Sequence, residues 1–122
     1  MEAVIGLPFT FSILFVDAIN EPMAVDNPTI TVFNFSAIGA KQIWVDQQLM
    51  SPAVPAEVGR YIYSFTIPAS FSDGEALYAE MTGTEVGPGL LCRAEQSLVA
   101  ISSNRGTGGA YSGLTAHFIK GG

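Results

Sequence analysis

The chain has 122 residues, five Lys and Arg against eleven Asp and Glu, and a formal net charge of −6. Affinity for nucleic acid rests on clustered Lys and Arg, so this balance excludes a phosphate-reading surface, and no nucleic-acid partner is expected. At 48% hydrophobic residues the length fills one core and no second. Only 13% of residues are charged and the mean hydropathy is +0.36, so part of the apolar surface is expected to be covered by partners, other copies of the chain included.

Met1 to Asp17 is apolar, but Glu2 stands where a secretion signal carries basic residues, and Pro8, Thr10 and Ser12 interrupt the apolar run. No segment reaches the roughly 18 consecutive apolar residues of a membrane helix, so no membrane partner is expected and folding is expected in a cytosol. From there the signal is alternation at period two. Phe9, Phe11, Ile13 and Phe15 share one face of a strand, and Asn20, Pro22, Asp26, Asn27 and Pro28 mark the loop after it. Thr29–Ala37 and Lys41–Met50 read as two further strands turned at Gly39, with Trp44 in the core between Ile43 and Val45.

Pro52 and Pro55 keep the next segment out of the middle of a sheet, because proline has no ladder donor. Tyr61, Tyr63, Phe65 and Ile67 line one face of the clearest strand, and Leu77, Ala79 and Met81 line another after a turn at Asp73 and Gly74. Leu90–Ile101 completes a series of about seven strands, the count and spacing of a β-sandwich. The expected core is Phe11, Ile13, Phe15, Val32, Tyr63, Phe65, Leu77 and Ala79.

No catalytic constellation stands out. His117 is the single histidine and Cys92 the single cysteine, which excludes a histidine zinc cluster and an internal disulfide and gives Cys92 a buried apolar role. Asp17, Glu21 and Asp26, and later Asp73 and Glu75, are read as turn carboxylates; they lack the dense alternation of a Ca²⁺ loop. The glycine clusters carry no following Lys-Ser/Thr, and Asn34-Phe35-Ser36 falls inside a strand, so neither a phosphate loop nor a glycosylation acceptor is expected. No enzyme activity, cofactor or metal follows.

The stretches FTFSILFVDAINEPM, with Asn20 and Glu21 in its turn, NPTITVF, VGRYIYSFTIP and GEALYAEMTG resemble an immunoglobulin-like β-sandwich of the kind found on tailed-bacteriophage virions. The likeness runs from about Leu7 to Ile101 and lies in strand pattern and turn placement. It implies an all-β, single immunoglobulin-like sandwich of about seven antiparallel strands over residues 1–101. It further implies a non-enzymatic virion structural protein, assembled in the host cytoplasm as capsid decoration or cement or as a neck or tail component, with other virion proteins as partners. Antibody domains are not close relatives, since their paired cysteines are absent. Tyr78, in the penultimate strand, reads either as a tyrosine-corner equivalent or as an ordinary half-buried tyrosine. A carbohydrate-binding or adhesive module is the alternative, resting on Trp44 and Tyr111 as sugar-stacking aromatics.

Residues 102–122 differ in character. Ser102–Gly113 holds four glycines and three serines, a linker composition with a reach of up to about 40 Å. The body to residue 101 carries a net −8, whereas the tail carries +2 from Arg105 and Lys120. The expectation is an extended arm in which Leu114 to Lys120 docks on another subunit, Phe118 as anchor beside Tyr111, Leu114 and Ile119, with Arg105 and Lys120 meeting acidic surface. The alternative is a tail folded back on its own sandwich as an extra edge strand.

Overall fold

Alternation in the strand β2 (Pro8–Val16) has a direct structural result: Phe9, Phe11, Ile13 and Phe15 are at most 1% exposed. The structure, a computed structural model, describes residues 2–87 and 89–102 and the backbone of residues 114–117. Across the sandwich from β2, the core is met by Ile30 and Val32 of β3 (Val25–Phe35), Leu77, Ala79 and Met81 of β7 (Ala76–Glu85) and Leu98 and Ala100 of β8 (Leu91–Ile101). Each Phe, Ile, Leu, Val or Met among them contributes roughly 1.5–3 kcal/mol on burial, which makes this contact the main source of stability. Of the expected core, Tyr63 and Phe65 are partly buried against its rim and the other six are buried.

Two sheets result. The first has five strands in the order β1-β8-β7-β3-β4, with β1 at Glu2–Val4 and β4 at Lys41–Leu49. The second has the order β5-β6-β2-β9, with β5 at Ser51–Pro52, β6 at Arg60–Thr66 and β9 at Leu114–His117. Two pairings are parallel, β1 with β8 and β2 with β9, so the expectation of a wholly antiparallel sandwich is corrected. Both exceptions are made by the terminal strands, which have no hairpin partner to fix their direction. Pro52 sits in a two-residue edge strand, where a missing donor costs no ladder bond.

The first loop closes as its composition requires. Asp17 Oδ1 accepts the amides of Ile19 and Glu21, both at 3.0 Å, and Asn20 takes the left-handed conformation at φ 72°. Gly59, at φ +81°, passes so close to β2 that an added Cβ would stand 2.7 Å from the Phe15 carbonyl oxygen. Only glycine fits there.

One hydroxyl ties the two sheets together. Tyr61 of β6 sets its ring edge-on to Phe15 at 6.0 Å, and its Oη accepts the Val25 amide at 3.1 Å and donates toward the Val25 carbonyl at 3.4 Å. Tyr78, read as a tyrosine corner, instead stacks on Phe33 at 5.6 Å on the outer face of the larger sheet. Cys92 is buried, and desolvation raises its thiol pKa above the ordinary 9.0, which keeps it protonated near neutral pH. Replacing Tyr61 by Phe strands the Val25 amide in a part-buried site; urea denaturation should show a loss of about 1–2 kcal/mol with an unchanged m value.

Candidate interaction surface

The β3–β4 pairing contains an irregularity that shapes the molecule's exposed chemistry. Val32 faces Val45, but the next residue, Phe33, faces Ile43, so Trp44 is the extra residue of a bulge. Displaced from the ladder, Trp44 is 41% exposed and meets Phe71 edge-on at 5.5 Å. This corrects its assignment to the core. Its indole Nε1 donates to Asn34 Oδ1 at 2.7 Å, Asn34 Nδ2 donates to Glu75 Oε2 at 2.6 Å, and the Ser72 amide donates to Glu75 Oε1 at 3.1 Å. Asn34 is 2% exposed with both ends of its amide engaged, a side chain that no glycosylation enzyme reaches.

Beyond the bulge the outer face of the larger sheet is aromatic. Phe33 lies between its ladder partners Tyr78 and Ile43, Phe35 closes edge-on upon Phe33 at 5.8 Å, and Lys41 Nζ stands 4.1 Å from the Phe33 ring centroid. Phe33 is buried by these neighbours, whereas Phe35 and Ile43 are about half exposed and Ile38, at the hairpin tip, is 91% exposed. Phe33, Phe35 and Tyr78 touch one another on the outer side of β3 and β7, with Ile43 beside Phe33 on β4 and Ile38 at the tip of the β3–β4 hairpin.

The same face turns polar at its other end. Thr29 and Thr82 share a 2.6 Å hydroxyl contact, the Gln47 amide donates to Thr31 Oγ1 at 3.2 Å, and Arg93 approaches Glu80 at 3.7 Å, lining a shallow cavity of about 240 Å³. On the smaller sheet a larger open groove, about 530 Å³, runs between β2 and the loop before β6. Its cation is engaged: Arg60 bonds Glu57 at 2.8 Å and Ser12 Oγ at 3.0 Å. Among the described residues no group of three His, Cys, Asp or Glu side chains is placed to hold a metal ion.

Of the residues expected to bind a partner, Leu114 opens β9 and pairs with Ile13 of its own chain. Within the single chain Leu114–His117 lies as an added strand beside β2, the arrangement given above as the alternative to docking on another subunit. Arg105, Tyr111, Phe118, Ile119 and Lys120 lie outside the described residues. The aromatic outer face was missed in the sequence, although Phe33 and Phe35 alternate with the buried Val32 and Asn34, and that alternation is the signal for it.

Comparison with family models, with curated proteins and with solved structures gives no significant match.

Trp44 is the chain's single tryptophan, so its emission reports the polar chain directly. Asn34→Ala removes a donor from Glu75 and an acceptor from the indole. It should cost about 2–3 kcal/mol in denaturant unfolding and shift the native emission to the red.

Proposed function

We propose that this protein is a non-enzymatic structural module whose task is protein–protein assembly, and that it works as an immunoglobulin-like component of a tailed-phage virion, as capsid decoration or cement or in the neck or tail. The immunoglobulin-like reading is supported by strand order. Lettering β2, β3 and β4 as B, C and C′, and β5 to β8 as D, E, F and G, turns the two sheets into D-E-B and G-F-C-C′, the partition of a variable-type domain. Ile13 and Leu77 are buried in the core on the B and F strands, the two strands that a disulfide joins in antibody domains.

The observation that carries the assembly reading is the apolar surface around Phe35, Ile38 and Ile43. Exposed apolar side chains gathered at one end of a sheet in a domain with few charges are a common mark of a protein–protein contact. The virion setting rests on the resemblance in the strand pattern and on the sparse polar coat.

Sedimentation equilibrium tests the surface. The native chain should self-associate, and Phe35→Glu with Ile43→Lys should weaken association by about ten-fold or more, as expected for central apolar contacts, with an unchanged far-UV spectrum. A native chain that stays monomeric and binds glycans on an array would replace this reading with the carbohydrate module, for which the half-exposed indole of Trp44 is the contact.

A further inference from the structure

The smaller sheet has a vacancy that its own N-terminal strand does not fill. In a sandwich of this order the position beside B belongs to the first strand. Here the first strand, β1, pairs with β8 in the other sheet. That leaves one edge of β2 to be covered, and β2 carries four of the most deeply buried side chains in the core. The chain covers it with Leu114–His117, in parallel register from Ile13↔Leu114 to Val16↔His117.

We propose that the edge of β2 at Ile13–Val16 is an exchange slot, and that the Leu114–His117 strand of a second copy occupies it when copies are crowded together. The chemistry of the slot is already satisfied by this segment, and the same ladder forms whether the strand comes from the same chain or another. What separates the two cases is the tether. The Ile5 amide bonds the Ile101 carbonyl, and the Ile67 amide bonds the Leu7 carbonyl, so β8 ends level with the start of β2. From Pro8 to Ile13 the strand then climbs about 17 Å. The twelve residues from Ser102 to Gly113 span up to about 40 Å, enough for the slot of the same chain and for that of a close neighbour. A tether of that length presents its strand at an effective concentration in the mM range, so the second copy prevails where the copies themselves reach that density, as in an assembled shell.

This inference concerns two copies of one chain and stands apart from the aromatic surface and the virion setting. Leu14 and Thr115 are directly opposed in the ladder, which allows a direct test. Chains carrying Leu14→Cys and chains carrying Thr115→Cys, with the buried Cys92 retained, are unfolded together, refolded at about 1 mM and oxidised. A disulfide-linked heterodimer is expected, falling by about ten-fold or more when refolding is done at tens of µM. In a second arm, deleting residues 104–113 leaves a reach of about 11 Å, too short for the slot in cis. That chain should be a dimer at µM concentration and revert to monomer with Ala116→Pro, which removes a ladder donor: the Phe15 amide is turned to Gly59 on the other side of β2, so Leu14, paired with Thr115, meets the amide of Ala116. Phe35→Glu should leave the Leu14–Thr115 linkage intact. The proposal is overturned if folded chains give no such linkage in either arm, or if Phe35→Glu abolishes it, which would assign the association to the outer face. If the shortened chain does not fold, the full-length mixture decides.

Discussion

Strand β2 sets the terms for the rest of the molecule. Its inner face supplies Phe9, Phe11, Ile13 and Phe15 to the core, and none of them stays dry unless a second sheet lies over it and neighbouring strands shield both of its edges. One edge is met by β6 over seven register pairs, Pro8↔Thr66 to Leu14↔Arg60. Gly59 lets the start of β6 approach, and Tyr61 bonds across to β3. The other edge is met by the last strand in the chain. Burial of one strand therefore dictates the placing of segments distant from it in sequence.

The larger sheet answers a different requirement. Its inner side must be smooth enough to lie on β2, which Val32, Ala79 and Ala100 provide. The bulge at Trp44 leaves the indole half exposed with its nitrogen donating to Asn34. The polar chain through Asn34 to Glu75 then fastens β4 to the turn before β7, adding hydrogen bonds to the edge-on contact of Trp44 with Phe71. Outside, Phe33, Phe35 and Tyr78 make a second, smaller apolar layer that no described strand covers.

The parts of the fold legible in the sequence are those in which a single strand carries its own instruction. Alternation in β2, β6 and β7 assigns the buried face correctly, and the Asp17–Pro22 turn announces itself by residue type. What was not legible is relational. The Trp44 position depends on a register slip between two strands, which leaves no mark in the β4 sequence itself. The pairing of β1 with β8 joins Glu2 to Val99, a separation over which no local pattern acts. The edge that Leu114–His117 meets depends on which one the first strand leaves open. The aromatic outer face was legible only in part: Phe33 and Phe35 alternate with Val32 and Asn34, but both sets have the composition of core residues, and the placement of Val32 against the other sheet decides which set turns outward.

The parallel pairing of β1 with β8 also has a mechanical consequence. Tension applied between Glu2 and Ser102 draws the two strands past one another along their length, because their pulled ends lie at opposite ends of the Glu2↔Val99 to Val4↔Ile101 ladder. The hydrogen bonds of that ladder share the load at once, where a hairpin pulled at its two open ends would peel one bond at a time. The junction that receives force first is thus arranged in shear, and the sandwich behind it is reached only after the whole ladder gives way together.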